Sequence, residues 1–400
     1  MSLAKKVKLG TLCSVVTKGT TPTTLGMSFE EDGVPFLRVQ NISNFTVSLD
    51  DILFISQSTH DSLERSKIKP GDFLITIAGT IGRTAIVPDD FPESNCNQAV
   101  AILRFNEHQL SPRYLLHWLN TDDAFSQISG KKVTATISNL SLGQIKELEI
   151  PLPPLAEQKR IAAILDKADA IRRKRQQAIQ LADDFLRAVF LEMFGDPVTN
   201  PKGWEVKLVD ELAANEKYAI KAGPFGSALK KEDYVEHGYK IYGQEQVIRD
   251  DLSFGHYYID ENKFESLKTC AVSPGDVLIS LVGSFGKISV VPEQFERGII
   301  NPRLMKIKFN NKLADPWFMK YLLTTAEMLR KIENLSHGGT MGILNVGKIK
   351  QLDVILPPIE LQERFISIQG KVLAVKNRLS KEDNLELFNS LSQKAFSDQL

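Results

Sequence analysis

One short stretch occurs twice in the chain, and it predicts the fold. Pro153-Pro154-Leu155-Ala156-Glu157-Gln158-Lys159-Arg160 returns 204 positions later as Pro357-Pro358-Ile359-Glu360-Leu361-Gln362-Glu363-Arg364. A proline pair before a run of helix-forming residues marks a helix start, because residues of the first turn need no backbone donor. The sequence therefore predicts two similar halves, each closed by a long helix.

The same offset continues on the N-terminal side of this stretch. Pro70-Gly71-Asp72 returns as Pro274-Gly275-Asp276, and the glycine pair of residues 79 and 82 returns at 283 and 286. Residues 73–87 and 277–291 are rich in β-branched and aromatic residues around this turn, which predicts a hairpin or strand pair in each half. A register held over such a distance indicates an internal duplication.

The two predicted helices carry apolar residues at heptad spacing. Residues 155–194 contain no Gly or Pro, and the apolar spacing returns over residues 359–400 with a slip in phase near Glu382. A long helix with one apolar stripe needs a partner of similar length, and a pseudo-twofold repeat predicts antiparallel pairing of the two. The predicted pairing residues are Ile161, Ile164, Ile171, Phe185, Phe365, Ile368, Val372, Val375 and Leu379.

These patterns predict an α+β fold with a pseudo-twofold internal repeat, in which two mixed α/β domains are joined by two long antiparallel coiled-coil helices. The expected boundaries are a first mixed domain at 1–153, a central helix at 154–195, a second mixed domain at 196–357 and a C-terminal helix at 358–400.

Composition excludes several classes of protein. The 400 residues are 42% hydrophobic and 24% charged, which excludes a disordered chain, and three scattered cysteines suggest neither a disulfide framework nor a zinc site. No apolar run approaches the ~20 residues that span a bilayer, so we expect no membrane association and a cytoplasmic location. Lys plus Arg equals Asp plus Glu at 49 each, so any nucleic-acid site must be local.

Motifs for catalysis are missing from the sequence. None of the six histidines forms a His-Glu-x-x-His pair, and Gly286-Lys287 lacks the upstream glycine of a phosphate-binding loop because position 281 is Leu. Neither a nucleophile elbow nor a dinucleotide-binding glycine motif occurs. We therefore expect no catalytic residue and no metal ligand in this chain.

Basic residues beside flexible turns are candidates for nucleic-acid binding. Arg83 and Lys287 follow the repeated glycine turns, and a basic, hydroxyl-rich segment aligns with residues of the second half. Ordinary tight turns and solvated loops are the alternatives at these positions. The basic run at 172–175 indicates either DNA beside the helix or a solvated face. The segment and its counterparts are Lys131, Lys132, Thr134, His337 and Thr340.

The repeated proline-to-helix stretch resembles the specificity subunits of type I restriction-modification systems. Pro70-Gly71-Asp72 with Gly79-Thr80-Ile81-Gly82, and Gly223-Pro224-Phe225-Gly226-Ser227, are also similar to their target-recognition domains. The resemblance implies a non-catalytic subunit that binds double-stranded DNA, with each mixed domain reading one half of a split, asymmetric target and the helices setting the spacing. It also implies two methyltransferase subunits and restriction subunits as partners, with S-adenosylmethionine, ATP and Mg on those partners.

The two halves differ most at 17–42 and 221–248, as expected of domains that read different sequences. These segments supply the remaining DNA-binding candidates, Lys18, Thr20, Arg38, Lys221, Ser227 and Lys230. Two alternatives stay open from the residues alone. One is a coiled-coil interaction scaffold that spaces two protein-binding modules, and the other is a single-chain nuclease or methyltransferase.

Overall fold

The structure, a computed structural model, describes residues 5–43, 45–129, 139–282, 286–336, 346–381, 390–391 and 393–396. It divides into a first unit, Met1–Gln177 with Ser380–Leu400, and a second unit, Ala178–Leu379. The longest helix supplies residues to both units.

Short strands and short helices alternate in the first unit before the long helix α6 begins after the Pro153-Pro154 pair. Its elements are β1 (Lys6–Lys8), α1 (Leu9–Leu12), β2 (Cys13–Lys18), β3 (Val34–Leu37), β4 (Ile42–Ser43), β5 (Thr46–Val47), β6 (Leu53–Ile55), α2 (Gln57–Ser62), β7 (Lys67–Ile68), β8 (Phe73–Thr76), β9 (Thr84–Ile86), β10 (Ser94–Cys96), β11 (Val100–Phe105), α3 (Pro112–Trp118), α4 (Asp122–Ser129), α5 (Leu142–Glu147), β12 (Glu149–Pro151) and α6 (Leu155–Phe194).

The second unit repeats this order with fewer strands. Its elements are β13 (Glu205–Leu208), β14 (Ile220–Ala222), β15 (Tyr234–Val235), β16 (Tyr239–Tyr242), α7 (Gln244–Arg249), β17 (Tyr258–Ile259), α8 (Glu261–Ser266), β18 (Val277–Ser280), β19 (Ile288–Val290), β20 (Gly298–Ile300), β21 (Leu304–Ile307), α9 (Pro316–Thr324), α10 (Ala326–Ser336), α11 (Val346–Lys350), β22 (Asp353–Leu356) and α12 (Ile359–Lys381).

Sheet topology confirms the internal repeat. In the first unit one four-stranded sheet has the order β2-β11-β8-β9, and its counterpart in the second unit has the order β14-β21-β18-β19. A further sheet in each unit contains one parallel pair, β3 with β10 and β16 with β20. The predicted hairpins are β8–β9 and β18–β19, both antiparallel. One apolar core lies between this sheet and the helices of each unit.

A buried glutamine fixes the start of the long helix in each unit. The Gln158 side-chain oxygen accepts the backbone N–H of Ser111 at 2.9 Å, and its amide donates to the carbonyls of Gln109 and Pro153. Gln362 repeats every one of these bonds 204 positions later, with Asp315 N–H at 2.9 Å and the carbonyls of Leu313 and Pro357 as partners. The amide therefore joins the helix start to the loop before α3 or α9.

Helices α6 and α12 pack antiparallel within the second unit. Phe190 of α6 contacts Phe365 of α12. Asp183, which precedes Phe190 on α6, pairs with Lys376, which follows Phe365 on α12, so the two helices run in opposite directions. In the first unit, Ile161 and Leu165 of α6 share a core with Ala395 near the C-terminus.

Several residues that the heptad spacing predicted to be buried between the two helices are exposed. Phe185 is 55% exposed, Val375 53% and Ile171 44%. The buried stripe of α6 runs instead through Leu186, Phe190 and Phe194, because these side chains fill the core of the second unit as well as facing α12. Of the other predicted residues, Ile161 and Phe365 are buried, while Ile164, Ile368, Val372 and Leu379 are half-buried.

Candidate nucleic-acid interface

A glycine and an asparagine build the same loop crossing in both units. Gly19 and Gly223 donate their N–H groups to the carbonyls of Val100 and Leu304, at 3.0 and 2.9 Å. A methyl group on either glycine would overlap the backbone of Asn97 or Asn301, so only glycine fits there. The crossing gives both units a common backbone frame from which the divergent loops project.

In the second unit these loops enclose a cleft of about 750 Å³. Its walls carry aromatic rings: Tyr234 and Tyr257 lie 5.8 Å apart, and the Arg249 guanidinium lies 4.1 Å from the Phe254 ring centroid. Burial raises the pKa of the Tyr234 phenol, so it remains a neutral hydrogen-bond donor at neutral pH. Lys230, Lys231 and Arg303 add exposed cations. Cations and aromatic rings around a cleft are the groups that bind nucleic-acid backbones and bases.

A buried cation holds one wall of this cleft in place. Lys240 is fully buried on β16, and its ammonium donates to the Ser253 carbonyl at 2.8 Å and to the Glu296 carboxylate at 2.5 Å. The hydrogen bond from Lys240 lowers the pKa of Glu296, so this carboxylate stays ionised at neutral pH. Because Ser253 directly precedes Phe254, Lys240 fixes the segment that carries the aromatic wall.

A smaller basic pocket, of about 390 Å³, lies in the first unit. Arg83 from the glycine turn and Arg172 and Arg173 from α6 line it together. The Asp169 carboxylate, which is 1% exposed, forms ion pairs with the guanidinium groups of Arg172 and Arg173 at 2.7 and 2.8 Å. Two arginines of the mid-helix basic run are thus held beside Arg83 by one buried carboxylate. At the repeat-equivalent position of Asp169 the second unit has the exposed apolar residue Leu373.

The structure brings only some of the predicted DNA-binding residues into these two sites. Lys230 lines the cleft and Arg83 lines the basic pocket. Lys18, Ser227 and Lys287 are exposed elsewhere, and Thr20 and Lys221 are half-buried. Arg38 is committed inside its own unit, where its guanidinium pairs with Asp51 at 3.1 Å. Five predicted residues lie outside the described residues: Lys131, Lys132, Thr134, His337 and Thr340.

Sequence reasoning missed four residues of the cleft, namely Tyr234, Arg249, Tyr257 and Arg303. They come from segments up to about seventy positions apart in the sequence, and no local motif links them. The repeat itself could have indicated Arg303, because the two copies differ at this position: the equivalent residue in the first unit is Ala99.

The described residues contain neither a cluster of metal ligands nor a membrane-spanning helix. Across the described ranges, no group of three or more His, Cys, Asp and Glu side chains is placed to hold a metal ion. No helix in the described part of the chain is both long enough and apolar enough to span a membrane.

The profile of the type I restriction modification DNA specificity domain matches this chain twice, over residues 1–181 and 201–388. The chain belongs to this family. It is a type I restriction-modification specificity subunit, and the duplicated match agrees with the duplicated fold. The two sites described above therefore lie on the two specificity domains.

Individual relatives are distant in sequence but similar in length. The putative type I restriction enzyme MjaX specificity subunit of Methanocaldococcus jannaschii is 24% identical over 88% of this chain and 81% of its own length. The EcoKI specificity subunit of Escherichia coli is 27% identical over 93% of this chain and 83% of its own length. The solved S subunit of a type I system from M. genitalium matches with a TM-score of 0.58 and 15% identity, over 98% of this chain and 95% of that chain.

Proposed function

We propose that this specificity subunit recognises a bipartite, asymmetric sequence in double-stranded DNA. The first domain, residues 1–153, reads one half of the target and the second domain, residues 196–357, reads the other. The observation that carries this proposal is a shared backbone frame with divergent walls. The Gly19 and Gly223 crossings are equivalent, whereas the side chains beside them differ between the units, as at Ala99 and Arg303. Two copies of one frame with different walls suit two different half-sites.

Charge supports DNA as the ligand. The chain has no net charge, yet exposed cations collect at the cleft of the second unit and at the basic pocket of the first. Phosphate contacts position a protein on a duplex, and base-edge contacts within grooves provide specificity. We assign Arg83, Arg172 and Arg173 to the phosphates and the cleft of the second unit to base edges.

The partners follow from family membership and from one exposed surface. Leu181 and Phe185 lie one turn apart on α6 and are 60% and 55% exposed. Large apolar side chains that share an exposed helix face mark protein-interaction sites. We assign this face to a methyltransferase subunit. Two such subunits and the restriction subunits complete the enzyme, and they bind the S-adenosylmethionine, ATP and Mg that the reactions need.

The test exchanges one domain and reads the result in DNA. Residues 1–150 are replaced by the corresponding segment of another specificity subunit that has arginine and histidine at the positions of Arg113 and His117, so that Asp166 keeps both partners. The chain is expressed with its methyltransferase partners. Sequencing of methylated DNA should show a change in one half of the recognised motif and none in the other. A change in both halves would disprove the assignment of one domain to each half-site.

A second arm tests the partner surface and the absence of chemistry in this chain. Phe185→Ser should leave folding intact and weaken assembly with the methyltransferase subunit. Phe125→Ser, the same change at a 64% exposed phenylalanine outside α6, is the matched control. The purified chain alone should neither methylate nor cleave DNA, and activity in a partner-free preparation would contradict its assignment as a specificity subunit without catalysis.

A further inference from the structure

Arg303 occupies a position where the two repeats share their backbone and differ in their side chain. The side-chain oxygen of Asn301 accepts the Arg303 N–H at 2.9 Å, and in the first unit the Asn97 oxygen accepts the Ala99 N–H at 3.3 Å. The carbonyls repeat as well, since Arg303 accepts from Leu281 N–H and Ala99 from Ile77 N–H. The frame therefore presents a guanidinium in one unit and a methyl group in the other.

The guanidinium of Arg303 is oriented by a neutral partner. Its Nη1 donates to the Gln244 side-chain oxygen at 3.4 Å. Gln244 is anchored in turn, because its amide donates to the Ser280 hydroxyl at 2.7 Å and to the Val282 carbonyl. Within the described residues no carboxylate forms an ion pair with Arg303, whereas neighbouring Arg249 pairs with Glu245 at 3.2 Å. Arg303 thus enters the cleft with its charge uncompensated and most of its donors available.

The pattern of the repeat separates base contacts from phosphate contacts. A contact to phosphate carries no sequence information, so a cation there has no need to differ between the copies, and Arg83 and Lys287 are both cations. A contact that reads a base should change between two domains that read different sequences. The pair Ala99 and Arg303 behaves in this second way.

We propose that Arg303 is a specificity-determining residue that reads a guanine through the major groove, in the half-site of the second domain. A guanidinium fits the O6 and N7 acceptors of guanine in a bidentate manner, and this is the commonest specific contact between an arginine and a base. Asn301 and Gln244 are its positioning residues. The inference rests on the proposed function and adds a base identity to one of its two half-sites.

Methylation mapping with the full set of partner subunits tests the assignment. The motif recognised by the unaltered chain should contain a G·C pair in the half read by the second domain. Arg303→Ala should relax that one position, with discrimination against other bases falling roughly ten- to one-hundredfold, and should leave the other half unchanged. Lys287→Ala is the comparison for a phosphate contact, because Lys287 is exposed outside the cleft and its repeat counterpart, Arg83, is also a cation. This variant should weaken binding about equally on all sequences, and it should reduce the slope of the logarithm of the binding constant against the logarithm of salt concentration by about one.

Lys312→Ala, an exposed cation change in the same unit outside the cleft, controls for loss of charge and should alter neither the motif nor its stringency. Uniform weakening by Arg303→Ala with an unchanged motif would overturn the proposal and make Arg303 a phosphate contact. A half-site without a G·C pair would also overturn it. Failure of the proposed function looks different, because exchange of residues 201–350 would then leave both halves of the motif unaltered.

Discussion

Loss of the Gln362 side chain should destabilise the second unit more than any exposed change of the same size. Gln362→Ala leaves one N–H group and two carbonyls of the backbone without their partners, at bonds of 2.9, 3.0 and 2.7 Å around a side chain that is fully buried. A buried donor or acceptor that loses its partner costs ~1–3 kcal/mol, and carbonyls are the more forgiving of the two groups. We expect a loss of about 2–4 kcal/mol in the free energy of unfolding.

The assay is urea unfolding followed by circular dichroism, together with thermal melting. For a unit of this size 1 kcal/mol shifts the melting temperature by about 2–4 °C, so Gln362→Ala should lower it by roughly 4–16 °C. Gln158→Ala should act similarly on the first unit, because its three bonds are the same. Gln362→Glu retains the size of the side chain but loses the amide donor, and it should be no milder than the alanine variant.

Gln176→Ala is the matched control, since Gln176 is an exposed glutamine on α6. Its effect should stay within about 0.5 kcal/mol. If Gln158→Ala and Gln362→Ala were as mild as this control, the two buried amides would not join the helices to their domains, and the reasoning would be refuted.

Three further predictions concern the helices and pH. Phe190→Ala should cost ~3–5 kcal/mol in unfolding experiments because Phe190 is 1% exposed, whereas Phe185→Ala should cost under about 1 kcal/mol, and equal losses would restore the heptad assignment. Burial lowers the pKa of His117, so stability should decline as pH falls below ~6.5, where this imidazole is protonated in the unfolded chain. Burial opposes ionisation of Asp166, but hydrogen bonds from Arg113 and His117 lower the pKa of this carboxyl overall. His117→Gln should reduce the difference in melting temperature between pH 7.5 and 5.5. Four residues inserted after Gln177, before the Leu181–Phe185 face, advance the helix by ~6 Å, and methylation mapping should show a gap one or two base pairs longer between unchanged half-sites.

Local signals in the sequence predicted the start of the long helix and one hairpin in each half. The helix predicted over 155–194 is α6, Leu155–Phe194, and the strand pairs predicted over 73–87 and 277–291 contain the β8–β9 and β18–β19 hairpins. Proline and glycine set these boundaries through their own backbone restrictions, so no knowledge of tertiary contacts was needed. The repeat could be predicted for the same reason, because its markers are turn residues at a constant offset.

Side-chain burial along the helices could not be predicted in this way. Heptad spacing assumes that a helix buries one stripe against one partner helix. The C-terminal part of α6 also fills a domain core, so its buried stripe includes Leu186 while the adjacent Phe185 is exposed. The cleft residues were missed for a related reason, since only the folded loops bring Tyr234, Tyr257 and Arg303 together.

The contacts between the domain and its long helix differ in chemistry between the two units. In the first unit Asp166 on α6 binds Arg113 and His117 of α3, with His117 Nε2 2.7 Å from the carboxylate. The equivalent positions in the second unit are Gly370, Trp317 and Tyr321, and Tyr321 packs 4.7 Å from the ring of Phe365.

This difference decides which contacts survive when domains are exchanged. Gln158 bonds only to main-chain groups, so any domain with the same backbone frame satisfies it. Asp166 depends on two particular side chains, and a domain with the Trp317 and Tyr321 pattern would leave a half-buried carboxylate without partners, at a cost of a few kcal/mol. A functional exchange between the two halves therefore has to carry residue 166 with the domain, or replace Asp166 by the glycine of the second copy. The backbone frame makes the domains interchangeable, and the side chains at the joint restrict which helix each one fits.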